Sequence, residues 1–270
     1  MSLFIQRAGR GPVPLVLIHG WAMHGGVLQP LVEALHERCT MHVVDLPGHG
    51  YSRDCGLPLE PRACAAAIAA ATPPAIWLGW SLGGLVALAA ALDNPRQVRA
   101  LAMLCATPKF VRAADWPHGS DAALVHQLAT DLETDYHATL SRFLALEAMG
   151  SDDPRAELRH LRELVFAHGE PDLRVLQEGI QLLENTDCRA SLRDLRMPSA
   201  WIAGRRDRLV PPQAMAWSAG QCGGRFSEIG RAGHAPFFGH ADAVVQALAP
   251  LLDGRAEPFA VEPAAMHPTR

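Results

Sequence analysis

The chain reads as an α/β protein built on a mostly parallel, doubly wound sheet, and three features of its sequence say so. Short apolar runs alternate with longer patterns of helical period, the rhythm of strands joined by crossover helices. Several runs are apolar at every position rather than every second one, as strands are when helices cover both faces. One run, Pro74-Ala75-Ile76-Trp77-Leu78, passes through Gly79-Trp80-Ser81-Leu82-Gly83-Gly84 into the alanine-rich stretch Leu85-Val86-Ala87-Leu88-Ala89-Ala90-Ala91. That is a strand, a tight turn and a helix in immediate succession.

Taken in order, strands are expected at 13–18, 41–44, 75–78, 98–104, 199–203 and 225–229, and helices at 27–37, 61–71, 82–92, 212–219 and 236–252. The rhythm breaks between 110 and 185. No strand pattern interrupts that stretch, which reads as consecutive helices, with Asp153-Pro154 as the N-cap and first-turn proline of one. The expected organisation is a core formed by 1–109 and 186–252, a helical lid inserted at 110–185, and a loose tail at 253–270. Repeated prolines replace periodicity in that tail.

With 270 residues, 49% hydrophobic and 19% charged, the chain is long enough to bury one large core. Its net charge of −4 gives no global basis for binding nucleic acid. Six cysteines are scattered without a C-x-x-C pair or zinc-like spacing, the pattern of reduced thiols inside a cell. No stretch approaches the roughly 18 uninterrupted apolar residues of a membrane span. The N-terminal segment Met1-Ser2-Leu3-Phe4-Ile5-Gln6-Arg7 has no signal-peptide core. The expectation is a soluble, cytoplasmic monomer without a nucleic-acid or membrane partner.

The turn at 79–84 carries the chemistry. Small residues flank Ser81 where side chains would collide, so its hydroxyl stands at the tip of the turn above a helix N-terminus. A serine hydroxyl is a weak nucleophile without a base. His234, in Gly233-His234-Ala235-Pro236, is the expected base, on a loop just before the last helix. His240 is the runner-up and is expected inside that helix. Asp207, in Gly204-Arg205-Arg206-Asp207, follows a strand end, where open α/β sheets place functional groups. It is expected to orient His234. The order Ser, Asp, His matches a nucleophile elbow followed by its partners. The backbone N–H groups of Leu82 and of Trp21, in His19-Gly20-Trp21, are expected to form the oxyanion hole. His19 reads as a structural hydrogen-bonder, and His42, Asp45 and His49 as residues of a turn rather than metal ligands. No metal and no cofactor is expected.

The motifs His19-Gly20-Trp21, Asp45-Leu46-Pro47-Gly48-His49-Gly50-Tyr51-Ser52, Gly79-Trp80-Ser81-Leu82-Gly83-Gly84, Gly204-Arg205-Arg206-Asp207 and Gly233-His234-Ala235-Pro236 resemble, in this order, the α/β-hydrolase superfamily over residues 3–252. Closer in, His19-Gly20-Trp21, Trp80 and the segment from Arg142 to Gly150 resemble the biotin-pathway carboxylesterases that demethylate a pimeloyl-[acyl-carrier protein] methyl ester. That resemblance implies serine esterase chemistry on an acyl ester carried by acyl-carrier protein. It also implies an acyl site lined by Trp21, Leu82, His234, Phe143, Leu144, Ala145, Leu146 and Glu147. Arg155, Arg159 and Arg162 recur at helical spacing and share one face. Such a face suits a phosphate or an acidic carrier protein, and the resemblance adds Arg142 to Arg155 and Arg159 as docking residues. Local ion pairs on a solvated face remain the alternative, since acids outnumber Lys and Arg over 109–185. Carbon–carbon bond hydrolysis, a menaquinone-pathway lyase reaction and ligand sensing with a slow triad also stay open.

Overall fold

The computed structural model describes residues 2–255; all but the first residues of the expected tail lie outside them. Seven strands form one sheet: β1 (Ile5–Ala8), β2 (Val13–Ile18), β3 (Cys39–Val44), β4 (Ala75–Trp80), β5 (Val98–Leu104), β6 (Ser199–Gly204) and β7 (Arg225–Ile229). Their order is β1-β3-β2-β4-β5-β6-β7. Every neighbouring pair is parallel except β1 with β3. β1 is the strand that the apolar runs do not announce. Ile5-Gln6-Arg7-Ala8 lies at the sheet edge with its two middle residues exposed, so it needs no apolar run.

The central strands show why the others are legible. β4 and β6 are buried at every position. Successive side chains of a strand point to opposite faces, so both faces must be covered. The helix pairs α2 (Pro61–Ala71) with α3 (Leu82–Asp93), and α1 (Gln29–Leu35) with α9 (Phe237–Leu252), supply that cover together with α8 (Pro212–Cys222). α3 is apolar all round and buried along nearly its whole length, as a helix enclosed by sheet and neighbours must be. The predicted helix at 27–37 begins instead as a 3-10 turn, Gly25–Leu28, before α1.

Between β5 and β6 the chain forms α4 (Ala122–Thr134), α5 (Tyr136–Ala148), α6 (Pro154–Phe166) and α7 (Leu173–Asn185). Each opens on an aspartate, Asp121, Asp135, Asp153 or Asp172, whose carboxylate accepts a hydrogen bond from a first-turn N–H. These caps satisfy donors that the helix leaves free and place negative charge at its positive end. Isolated bridges pair Val111 with Ser120 and Ala113 with Trp116 before α4 begins. Among the described residues, no helix is long and apolar enough to cross a membrane.

Candidate active site

Three parallel strands end at one rim of the sheet, and each delivers a side chain to it. Ser81 follows β4 directly, with φ +54 and ψ −124, a conformation that L side chains rarely adopt. The turn is shaped by missing side chains. A Cβ at Gly83 would lie 2.6 Å from the Ile18 carbonyl oxygen and meet that of His19 as well, and one at Gly84 would meet Ala106. The Ser81 N–H donates to the Leu104 carbonyl at 3.0 Å, which ties the elbow to the end of β5.

Asp207 lies just beyond β6 and His234 just beyond β7. Their loops are joined by the Arg206 N–H donating to the Ala232 carbonyl at 2.9 Å. Asp207 Oδ1 accepts the N–H groups of Leu209 and Val210 at 2.8 and 2.9 Å. Its Oδ2 lies 2.8 Å from His234 Nδ1, and His234 Nε2 lies 2.9 Å from Ser81 Oγ. A carboxylate only accepts, so Nδ1 carries the ring proton and the Nε2 lone pair faces the serine hydroxyl. The three predicted side chains, far apart in sequence, thus form one buried hydrogen-bonded array. The arginines beside Asp207 turn elsewhere: Arg205 pairs with Glu228 and Arg206 with Asp152. His240 is not inside a regular helix as expected. It sits in a break at Phe238–His240, with Nε2 3.6 Å from Asp152.

The loop after β2 closes over the nucleophile. A Cβ at Gly20 would lie 3.1 Å from the Ser81 Cβ. His19 holds this loop. Its Nε2 accepts from the Leu46 N–H at 2.9 Å, and its Nδ1–H donates to the Gly20 carbonyl at 2.7 Å. Burial, followed by the neighbouring His49, drives its pKa well below the ordinary value, so the ring is a neutral strut. Asp45 accepts from the N–H groups of Gly25 and Tyr51 at 2.6 and 2.8 Å, joining two loops of the same rim. Leu82 opens α3, where helix geometry leaves its N–H without an intrahelical acceptor.

Trp21 is buried, donates through Nε1 to the Leu176 carbonyl at 2.9 Å and meets Phe143 edge-on at 4.6 Å. The run 143–147 is not one lining surface, because five helical residues circle their axis. Phe143, Leu144 and Glu147 are buried and Ala145 half-buried, whereas Leu146 is 42% exposed and does not join the others. Arg142 is likewise engaged, with Asp131 at 2.8 Å and Thr139 at 2.9 Å. Arg155, Arg159 and Arg162 lie exposed on α6, without an ion pair among the described residues.

Sequence reasoning missed two residues of this site and the role of a third. Trp80 donates through Nε1 to the His234 carbonyl at 2.8 Å, linking the residue before the nucleophile to the histidine. Gly179 lets α7 lie on the site: a Cβ there would fall 2.5 Å from the Trp21 ring and 3.3 Å from Leu82. Its signal was a glycine inside a strongly periodic helix. Cys105, at φ +44, lies behind the acid. Ligand atoms of Cys105, Asp207 and His234 all fall within 4.8 Å of one another. Burial, then the Asp207 charge, keeps the Cys105 thiol protonated, and the other two residues bond each other. The trio therefore fits a hydrogen-bonded array better than a metal-ligand set.

A family model for the alpha/beta hydrolase fold matches residues 13–241. The chain is 55% identical over 247 residues to the pimeloyl-[acyl-carrier protein] methyl ester esterase of Stenotrophomonas maltophilia, covering 91% of this chain and 95% of that one. It is also 55% identical over 247 residues to the protein of the same name from Xanthomonas oryzae pv. oryzae, covering 91% of this chain and 97% of that one. Among solved structures, an esterase from Exiguobacterium antarcticum superposes with a TM-score of 0.84 at 20% identity, over 93% of this chain and 95% of that one. At that identity the last match speaks for the fold alone. By family model, by close relatives and by architecture, this chain belongs to the alpha/beta hydrolase fold family.

Proposed function

We propose that this chain is a serine carboxylesterase that hydrolyses an acyl methyl ester, with pimeloyl-[acyl-carrier protein] methyl ester as its substrate. The observation that carries the chemistry is the array from Asp207 Oδ2 through His234 to Ser81 Oγ, with steps of 2.8 and 2.9 Å. The names of relatives 55% identical over 91% of the chain carry the substrate. In this reading His234 Nε2 takes the Ser81 proton as Oγ attacks the ester carbonyl, and the Leu82 and Trp21 amides receive the oxyanion. The imidazolium, held by Asp207, then protonates the departing methanol. Water, deprotonated by the same imidazole, frees the acyl group as a carboxylic acid and restores Ser81.

Residues 110–185 act as a lid in this proposal. Ser81 is only 6% exposed; Phe143 from α5 packs on Trp21 and the α7 face at Gly179 lies against Trp21 and Leu82, so in this reading the acyl chain enters between those helices. Trp21, Leu82, Phe143 and Leu144 supply its apolar walls. Arg155 and Arg159, exposed without an ion-pair partner among the described residues, are free to meet an acidic carrier protein or the phosphate of its arm.

The test is a series of methyl esters of increasing acyl length, free and carrier-bound, followed by mass spectrometry. Turnover is expected to favour the medium-length ester on the carrier. Reversing charge at Arg155 and Arg159 together is expected to slow the carrier-bound ester about tenfold or more while sparing free esters, as interfacial charges do. Equal effects on both would overturn the docking proposal, and no turnover of any ester would overturn the esterase.

A further inference from the structure

Two buried carboxyl groups transfer no proton in the steps of that reaction. Glu147, on α5, is 0% exposed, and neither of its oxygens has a hydrogen-bond partner among the described residues. Glu157, on α6, is 8% exposed, and its Oε1 lacks one too. An ionised carboxylate without a donor is strongly penalised in a protein interior, so such a group keeps its proton. Burial, then the charges of Glu157 and Asp207, push the Glu147 carboxyl well above the ordinary range. Burial pushes Glu157 up to about 8, with the Ser151 hydroxyl pulling the other way.

The place of this pair gives it a consequence. α5 and α6 pack on each other, and the turn between them is seated on the loops that carry Asp207 and His234. Gly150 adopts φ +87, and a Cβ there would fall 2.5 Å from the Arg206 carbonyl oxygen. A Cβ at Gly233 would fall 2.6 Å from the Met149 carbonyl oxygen. The hairpin therefore rests on backbone beside both the acid and the base, with no slack between them. Glu147 lies one helical turn beyond Phe143, on the same inward face of α5.

We propose that Glu147 and Glu157 are a proton-loaded pair that positions the α5–α6 hairpin against the catalytic loops, and that loss of the first proton loosens the hairpin and lowers turnover. Glu147 feels Glu157 from α6 and Asp207 from the loop after β6, all acidic; Glu157 feels Ser151 from the turn. The cations that face the hairpin are held at its rim by Asp152, which engages Arg231 at 3.0 Å, His240 at 3.6 Å and Arg206 at 3.8 Å. α6 itself carries Arg155, Arg159, His160 and Arg162, all exposed and none in an ion pair among the described residues. Ionisation of Glu157 thus places a buried charge beside Glu147 with no ion-pair partner. Because the fold holds Glu157 protonated, it binds more protons than the unfolded chain between the ordinary value of 4.5 and about 8. Stability from this group is complete below that window and falls as pH rises through it.

The experiment follows hydrogen exchange in α5 and α6, and kcat/KM on a small methyl ester, from pH 6 to 9.5 in the wild-type protein and in Glu157→Gln. The glutamine keeps the size of the protonated acid and cannot ionise. Wild type is expected to lose hairpin protection progressively from pH 6 to about 8 and to level off above it, with kcat/KM falling over the same window. Glu157→Gln is expected to hold both constant there. The same loss in Glu157→Gln would overturn the proposal. The activity arm rests on the esterase reading, but the exchange arm does not. A chain that hydrolyses no ester yet shows the protection difference would sink the esterase and leave the pair standing.

Discussion

Ser81 is held at a φ of +54 by its surroundings rather than by its own preference, and strain of this kind is retained where neighbours over-determine it. Removing the hydroxyl leaves the backbone demand unchanged. Ser81→Ala is therefore expected to fold normally and to lose all covalent labelling by a serine-directed phosphonate, as followed by intact-protein mass spectrometry; labelling that persists would move the nucleophile elsewhere. Asp207→Asn keeps the shape of the acid but replaces an acceptor-only group with an amide able to reverse the His234 tautomer. Turnover is expected to drop by about 10⁴, while a near-normal rate would give the acid role to another side chain. His49 shows the opposite use of a histidine. It is buried and donates to the Pro47 carbonyl at 2.8 Å, and burial lowers its pKa from 6.5 to about 4. A depressed value means that the unfolded chain gains the proton first. Stability from His49 is present above pH 6.5 and lost as pH falls toward 4, a loss of about 3 kcal/mol if the full shift is expressed. Urea titrations at pH 7.5 and 4.5 are expected to show that slope flattened in His49→Gln, and an unchanged slope would contradict the assignment.

Elements were legible where burial was complete. β4 announces itself because every side chain is apolar, β6 because only its first residue, Ser199, is polar, and α3 because its alanines fit a helix enclosed on all sides. β1 was hidden because an edge strand needs neither length nor an apolar run. The break in α9 was hidden because Phe238, Gly239 and His240 leave helical geometry through a positive φ at Gly239, which a glycine permits without requiring. The triad was readable from motif order, since each residue sits beside a strand end. The roof over it was legible only in part: the resemblance offered Phe143 and Glu147, but Gly179 reaches the site through the mutual packing of the lid helices, which no local pattern encodes. The same close packing governs the elbow. A methyl group at residue 83 would press on the Ile18 and His19 carbonyls, and backbone cannot swing away as a side chain can. Gly83→Ala is expected to lower stability by about 1–3 kcal/mol, seen as an earlier urea midpoint. An unshifted midpoint would mean that the turn has room that its geometry denies.

At the scale of the whole molecule, one mostly parallel sheet serves as the frame and the helical insertion as its cover, with the reacting groups trapped between. The seven strands hold their ends in register, so the rim keeps its geometry, and the α5–α6 turn is seated directly on it. This division leaves the reacting groups to the loops around β4, β6 and β7 and the cover to the helices. It also imposes an order in time. Ser81 and His234 stand 153 residues apart, with the entire insertion between them. A chain emerging from the ribosome exposes its serine turn and β5 long before its histidine has been synthesised. Until the segment after β7 threads back to the rim, the nascent enzyme is an inert scaffold, and it gains its reactivity in a single late step rather than by degrees.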